Sequence, residues 1–195
     1  PNTGGMGSVS PVPFFDNALR KKVEERVVNP TITGLQKDSL PYLGFIFFGL
    51  ISVKGEPFVI EYNVRMGDPE TQSVLPRVEG DIAEAMWLLG KNIPIQQLDT
   101  KEAASASVVL VSEGYPGFYE KGKAVTQRIP FDKISGIHAG TKKDNNGNLL
   151  TSGGRVMALN SIDKNFAKCL SNIYSEVDRI HFEGMQYRKD IGKDL

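Results

Sequence analysis

The chain has 195 residues, of which 40% are hydrophobic and 24% are charged, a composition typical of a globular protein. Its 23 basic and 23 acidic side chains cancel, so the basic surface that nucleic-acid binders usually carry is not expected. No apolar run approaches the roughly 20 residues of a membrane span. Neither nucleic acid nor a membrane is therefore expected as a partner. The single cysteine excludes an intrachain disulfide and fits a reducing, cytoplasmic location.

Glycine and proline dominate the first residues, and residues 1–13 are expected to form a loop. Within it, Pro1–Gly7 holds three glycines in four residues, which lets the backbone approach a ligand closely. Residues 16–29 then carry apolar side chains four apart, which predicts a helix capped by Asp16. This helix is expected to end at Asn29-Pro30, because proline breaks a helix interior.

Two strands are predicted next. Residues 43–53 are apolar on both alternating faces, which indicates a strand covered on both sides. Residues 57–63 follow a short turn, and the two strands are expected to pair as an antiparallel hairpin inside a mixed sheet. Because alternate side chains share a face, Glu61 and Asn63 should project together, about 6–7 Å apart at the backbone. The opposite face would carry the side chains that point toward a core, which are Phe58, Ile60 and Tyr62.

The end of the second strand is rich in polar side chains. The carboxylate of Glu61 and the amide of Asn63 supply hard oxygen donors suited to Mg²⁺ or Mn²⁺. Arg65 would follow on the same side if the strand continues, and its guanidinium could hold a phosphoryl group. Asp68 and Pro69 then suit the N-cap and the first position of a short helix, and helix starts bind anions. A strand with one solvated polar face explains the same spacing without any ligand.

The remaining residues predict an α+β fold. A short helix over 81–89 is followed by a polar stretch at 91–102, the best candidate for a linker between domains at 1–100 and 101–195. Strands are predicted over 107–111, 123–129, 137–139 and 155–159. A helix over 163–180 has the clearest apolar stripe, which includes Cys169 and indicates that this thiol is buried and inert.

Taken together, these motifs closely resemble those of the phosphoribosylamine–glycine ligase (glycinamide ribonucleotide synthetase) family. The matching segments run in order over nearly the whole chain and are Pro1–Gly7, Glu61–Gln72, Leu75–Arg77, Gly114–Pro116, Tyr119–Gly122, His138–Thr141, Gly153–Val156 and Arg188–Gly192. The resemblance implies that residues 1–100 form the second half of an ATP-grasp domain and that residues 101–195 form a small α+β C-terminal domain. It also implies that the N-terminal half of the same enzyme precedes this chain.

The resemblance further implies a ligase of de novo purine biosynthesis that joins glycine to 5-phosphoribosylamine, with ATP as the substrate that is hydrolysed to ADP and phosphate. It assigns Glu61 and Asn63 as ligands of Mg²⁺ or Mn²⁺, and Arg65 as the catalytic residue that stabilises the transferring phosphoryl group. It places the substrate-binding residues in the first loop and after the second strand, at Asn2, Thr3, Gly5, Gly7, Asp68, Pro69, Glu70 and Thr71.

Two other readings stay open at this stage. The first is another ATP-grasp ligase, such as a biotin-dependent carboxylase, because Glu-x-Asn-x-Arg alone does not separate these enzymes. The continuation through Gly67–Gln72, together with Pro1–Gly7, favours the glycine ligase. The second is a catalytically dead remnant that serves as an interaction module, although such a copy would be expected to lose its metal ligands first.

Overall fold

The structure is a computed structural model that describes residues 3–95, 97–193 and 195. These residues form two compact units, a hairpin unit and a sheet unit. The hairpin unit comprises Val12–Gly67 and Glu79–Asp99. The sheet unit comprises the residues up to Pro11, Asp68–Val78, and Thr100 onwards.

The hairpin unit begins with a helical path that is longer than predicted. Helix α1 spans Asn17–Val23, a wider π-helical turn spans Glu24–Val28, and helix α2 spans Asn29–Lys37. Asp16 caps α1 as expected, since its carboxylate accepts a hydrogen bond from the Leu19 N–H at 2.8 Å. The predicted stop at Asn29-Pro30 is wrong. After the wider turn a new helix, α2, begins at Asn29, so Pro30 lies in its first turn. The missing N–H of proline costs little there, because the N–H groups of a first turn have no partner within the helix.

The predicted antiparallel hairpin is confirmed, as strand β2 at Phe47–Val53 paired with strand β3 at Glu56–Asn63. Its expected place inside a mixed sheet is wrong, because among the described residues the two strands form a two-stranded sheet of their own. One face of the hairpin packs on the helices through a cluster that comprises Leu19, Val23, Val27, Val28, Phe48 and Leu50. The other face is open: Ile51 and Phe58 pair across the strands and are 50% and 55% exposed. The expectation of a strand covered on both sides is therefore wrong, because these helices pack on one face only.

A β-bulge interrupts the hairpin where the register shifts between Gly49 and Leu50. Tyr62 pairs with Phe48, whereas Phe58 pairs with Ile51. Phe48 and Ile51 are three residues apart and so lie on opposite faces of β2. The prediction that Phe58 and Tyr62 share a face is consequently wrong, since the extra residue in the bulge reverses the alternation. The unit also contains helix α4 at Ile82–Gly90, capped by Asp81, close to the predicted bounds.

The sheet unit is built on an antiparallel sheet with strand order β1-β4-β9-β6. Its strands are β1 (Gly7–Ser10), β4 (Ala104–Ser112), β6 (Ser135–His138), β9 (Arg155–Asp163) and β11 (Met185–Gln186), which pairs with β4. Smaller two-stranded pairs are β5 (Thr126–Gln127) with β10 (Ile180–His181), and β7 (Thr141–Lys143) with β8 (Leu149–Thr151). The loop predicted over 1–13 thus contains a strand, because Gly7–Ser10 hydrogen-bonds along β4.

Two helices complete the sheet unit. The short helix α3 spans Glu70–Val74 and continues into a 3-10 turn at Leu75–Arg77. The longer helix α5 spans Phe166–Glu176 and is capped by Asn165. The apolar stripe predicted for it is buried against the sheet, and Cys169 and Ile173 are fully inaccessible to solvent. The predicted strand over 123–129 is reduced to β5 and an isolated bridge at Ala124.

Helices and antiparallel sheets thus occur together, as the α+β prediction required. The compact units nevertheless follow a different division from domains at 1–100 and 101–195. Strand β1 pairs with β4, and α3 packs on both of them, so these early segments belong to the sheet unit. Within residues 3–95, 97–193 and 195, no helix combines the length and the apolar character needed to cross a membrane.

Candidate functional site

The first group of candidate residues lies at the end of β3 in the hairpin unit. The Asn63 Nδ2 donates a hydrogen bond of 2.8 Å to the Glu61 Oε1, so the two side chains project from the same face, as predicted. Glu61 is exposed and Asn63 is half-buried. The bulge lies on the N-terminal side of this pair, so the ordinary alternation holds between residues 61 and 63.

Arg65 lies beyond the end of β3, which stops at Asn63. The alternation of a strand therefore does not determine its direction. Its Nη1 donates a 2.9 Å hydrogen bond to the carbonyl of the following residue, Met66. A guanidinium has several N–H donors in a rigid fork, so this bond holds the group without using all of its donors.

The donor set of Glu61 and Asn63 fits a cation of the Mg²⁺ type. Both groups offer oxygen, they lie on one face, and the exposed carboxylate is accessible to a ligand. Mg²⁺ commonly binds through one or two protein oxygens together with waters and substrate phosphates. In the described part of the chain, no group of three or more His, Cys, Asp or Glu side chains is arranged to hold a metal. The pair therefore suits a metal shared with a phosphate ligand rather than a cage made by protein alone.

The second group of candidate residues lies in the sheet unit, around the start of α3. The predicted N-cap role of Asp68 is wrong, because Pro69 occupies the N-cap position and no side chain caps the helix. The Asp68 carboxylate is engaged elsewhere. Its Oδ2 accepts a 2.8 Å hydrogen bond from the Arg155 Nη2, and its Oδ1 accepts one of 3.1 Å from the Gln72 Nε2.

Pro69 and α3 are attached to the sheet by a network of hydroxyl groups. Pro69 is fully buried, and its carbonyl accepts a 2.8 Å hydrogen bond from the Ser8 hydroxyl. Ser8 also bonds to Ser73 at 2.7 Å, and the buried Ser73 donates to Ser107 on β4 at 3.0 Å. Glu70 and Thr71 follow on the first turn of α3 and are half-buried. The backbone of this stretch is thus fixed from the sheet side.

The glycines of the first loop have close neighbours in the same unit. A Cβ at Gly5 would stand 2.6 Å from the Tyr115 hydroxyl, and one at Gly7 would stand 2.6 Å from Ile191 Cδ1. Tight packing therefore accounts for both glycines without a ligand. Thr3 accepts a 3.3 Å hydrogen bond at its hydroxyl from the Arg188 Nη1. The candidate Asn2 lies outside the described residues.

Arg155, to which the sequence motifs assigned no role, is the main partner of Asp68. The signal available in the sequence is a charged residue directly after a Gly-Gly pair at the start of a strand. Arg77 is a second structural guanidinium of this unit, because its Nε donates to the Ala103 carbonyl at 2.7 Å and its Nη1 to the Ser10 hydroxyl at 2.9 Å. Partial burial lowers the pKa of Arg77.

Comparison with known protein families identifies two consecutive domains. Residues 1–71 match the ATP-grasp (A) domain of phosphoribosylglycinamide synthetase, and residues 105–194 match the C domain of the same family. The chain is 40% identical to the phosphoribosylamine–glycine ligase of Chlorobaculum tepidum, an alignment that covers 98% of this chain and 46% of that protein. It is also 40% identical to the trifunctional purine biosynthetic protein adenosine-3 of Gallus gallus, over 98% of this chain and 19% of that protein.

Solved structures include one from the same family. The phosphoribosylamine–glycine ligase of Thermotoga maritima superposes with a TM-score of 0.86 at 34% identity, over 97% of this chain and 47% of that one. A biotin carboxylase of Campylobacter jejuni superposes with a TM-score of 0.64 at 15% identity, over 97% of this chain and 44% of that one, which indicates a shared fold alone. The chain spans less than half the length of the relatives described here.

Proposed function

Because the chain belongs to the phosphoribosylglycinamide synthetase family, we propose that it is the C-terminal half of an ATP-dependent ligase that joins glycine to 5-phosphoribosylamine. The observation that carries this proposal is the match, in order, of two domains of one family over most of the chain. The N-terminal half of the same enzyme is then the partner that completes the ATP-grasp domain, and the site of action is the cytoplasm.

The reaction proceeds in two group transfers. A glycine carboxylate oxygen attacks the γ-phosphorus of ATP, a new O–P bond forms, and ADP leaves. The amine of 5-phosphoribosylamine then attacks the acyl carbon, a C–N bond forms, and inorganic phosphate leaves as the amine loses a proton. The products are glycinamide ribonucleotide, ADP and phosphate.

The first transfer depends on the polar end of β3. Glu61 and Asn63 would hold Mg²⁺ or Mn²⁺ through their oxygens, and the bound cation neutralises charge on the ATP phosphates. Arg65, anchored at the Met66 carbonyl, would present its remaining N–H donors to the transferring phosphoryl group. A guanidinium suits this role because its planar fork matches a pair of phosphoryl oxygens.

The residues assigned to glycine and 5-phosphoribosylamine are those of the first loop and of the stretch that leads into α3. They are Asn2, Thr3, Gly5, Gly7, Asp68, Pro69, Glu70 and Thr71. The support for this assignment is the motif resemblance, together with the carboxylate of Asp68, whose orientation is fixed by two donors. An active parent is favoured over a dead remnant because Glu61, Asn63 and Arg65 are all retained.

The experiment is an assay of the full-length protein that carries this chain. Purified protein is incubated with Mg-ATP and glycine, with and without 5-phosphoribosylamine, and glycinamide ribonucleotide is measured by mass spectrometry. Product that requires all three substrates supports the proposal. Absence of product, or transfer to bicarbonate instead of glycine, would contradict it. The 195-residue chain alone is expected to form no product, because the proposed N-terminal half contributes to ATP binding.

A further inference from the structure

The guanidinium of Arg155 joins the stretch around Asp68 to the C-terminal sheet through a two-point contact. Arg155 is the first residue of β9, and 87 positions separate it from Asp68. Its Nη1 donates to the Asp68 backbone carbonyl at 2.9 Å, and its Nη2 donates to the Asp68 Oδ2 at 2.8 Å. One planar fork thus fixes the main chain and the side chain of the same residue.

The base of Arg155 is itself firmly held. The carbonyl of Arg155 accepts a 2.8 Å hydrogen bond from the Gly140 N–H, and the carbonyl of Gly154 accepts one of 2.7 Å from the Ser112 N–H. Gly154 lies so close to Tyr115 that a Cβ there would stand 2.6 Å from the ring. The guanidinium therefore projects from a backbone that has little freedom to move.

The first loop lies beside this side chain at Gly5. A Cβ at Gly5 would stand 3.4 Å from the Arg155 Nη1 and 3.5 Å from its Cδ. Arg155 therefore binds Asp68 just before α3 and lies beside the glycine loop, the two stretches to which substrate binding is assigned. The Arg155 side chain is 28% exposed and that of Asp68 is 49% exposed, and the hydrogen bond between their ionised groups is charge-assisted.

We infer that Arg155 is a positioning residue, which sets the Asp68 carboxylate and the main chain at residues 68–71 for substrate binding. This inference rests on the proposed function of that stretch. Two acceptors on one residue demand a fork, and a lysine ammonium cannot replace it because it is a single point charge on a flexible stem. The Gln72 amide on the other carboxylate oxygen completes the orientation of Asp68.

The test compares Arg155→Lys with a matched control, Arg179→Lys, in the full-length protein. Arg179 also pairs a carbonyl with a carboxylate in the same unit, although on two residues, with its Nη1 on the Pro130 carbonyl at 2.7 Å and its Nη2 on the Asp132 Oδ2 at 2.6 Å. Its Nε lies 3.7 Å from the Glu176 Oε2. Its side chain is 35% exposed, similar to that of Arg155. If Arg155 only stabilises the fold, both variants should lose a similar amount of thermal stability and keep their KM values.

The expected result is a rise of about tenfold or more in the KM for glycine or for 5-phosphoribosylamine with Arg155→Lys, while the KM for ATP stays unchanged. Arg179→Lys should leave all three constants unchanged. In an Asp68→Asn background, Arg155→Lys should add little, because the arginine acts through Asp68. Unchanged KM values in Arg155→Lys would overturn the inference, and so would a fully additive effect in the double variant, which would indicate direct substrate contact.

A second measurement does not depend on activity. Amide hydrogen exchange over residues 70–74 should accelerate by about tenfold or more in Arg155→Lys and stay unchanged in Arg179→Lys. If the wild-type protein forms no glycinamide ribonucleotide, the proposed function is overturned. The exchange rates still test whether Arg155 holds the stretch around Asp68 in place. Equal exchange in the two variants would overturn the positioning itself.

Discussion

Gly49 lies directly opposite Glu61 in the antiparallel β2–β3 hairpin. A Cβ at position 49 would stand 2.8 Å from the Glu61 Cγ, which is too close for two non-bonded carbon atoms unless one of the side chains moves. The missing side chain of Gly49 therefore provides the space that the Glu61 side chain occupies beside Asn63. The metal-ligand pair proposed at the end of β3 depends on a glycine of the neighbouring strand.

The first prediction follows from this contact. Gly49→Ala should force the Glu61 side chain into another rotamer and separate it from Asn63, which raises the Mg²⁺ concentration needed for half-maximal activity of the full-length protein. The measurement is phosphate release across a Mg²⁺ titration. Gly34→Ala is the matched control, because a Cβ there meets nothing within 4 Å beyond its chain neighbours and its own helix backbone, and alanine favours a helix. An unchanged Mg²⁺ requirement in Gly49→Ala would count against the role of Glu61.

The second prediction concerns the charge of Glu61. Glu61→Gln keeps the shape of the side chain and removes one negative charge, so the full-length protein should lose about 10²–10³-fold in rate, as when one electrostatic stabiliser is removed. The melting temperature without nucleotide should stay the same, since Glu61 is exposed. Steady-state phosphate release at saturating glycine measures the effect, and Glu79→Gln, another exposed position, is the control. Normal turnover of Glu61→Gln, or loss of activity through unfolding, would refute the assignment.

The third prediction concerns Arg65. Arg65→Lys keeps the positive charge but loses the planar fork, so the rate of phosphoryl transfer should fall although the protein stays folded. A role limited to the hydrogen bond with the Met66 carbonyl predicts instead that lysine restores most of the activity. The rate of single-turnover ADP formation in Arg65→Lys and Arg65→Gln distinguishes these two roles. Only an electrostatic role makes the glutamine variant slower than the lysine variant.

The fourth prediction is a pH dependence of stability in the hairpin unit. Hydrogen bonds from Lys22 and Arg26 hold the pKa of Glu56 below its ordinary value of 4.5. A carboxyl group with a depressed folded pKa contributes its full stability above the unfolded pKa. That contribution is lost as the pH falls below 4.5 through the lower folded pKa.

Thermal melts between pH 3 and pH 7 test this expectation. The decline of the melting temperature below the ordinary pKa of Glu56 should be smaller in Glu56→Gln than in the wild type. The double variant Lys22→Gln, Arg26→Gln removes both positive charges and leaves the carboxyl group, so it should show a similar reduction. Unaltered pH profiles in both variants would show that the ion pairs contribute nothing, as many exposed pairs do.

The fifth prediction uses the single cysteine. Cys169 is fully buried on α5, and its thiol donates to the Ala104 carbonyl at 3.3 Å. Burial raises the pKa of this thiol, which removes the reactive thiolate. Alkylation by iodoacetamide at pH 8 should therefore be more than about a hundredfold slower in the native protein than in urea. Rapid labelling under native conditions would contradict the packing of α5 on the sheet.

The sequence alone was sufficient where the signal is local. The side-chain alternation at the end of β3 predicted that Glu61 and Asn63 share a face, because two positions of one strand need no distant partner. The apolar stripe of α5 predicted the burial of Cys169 for the same reason, since one helix face must meet the core. Such patterns depend on the periods of two residues in a strand and 3.6 residues in a helix. These periods are set within one element and do not depend on distant parts of the chain.

Only the tertiary structure decided where distant segments meet. The polar residues around Asp68 suggested a helix cap, but a guanidinium 87 positions away binds its carboxylate instead. The bulge opposite Gly49 and Leu50 reversed the faces of Phe58 and Tyr62, although the local pattern gave no sign of an extra residue. Strand β1 was missed because its partner, β4, lies about a hundred residues further along, and pairing at that distance is selected by packing in the whole sheet rather than by neighbours in the chain.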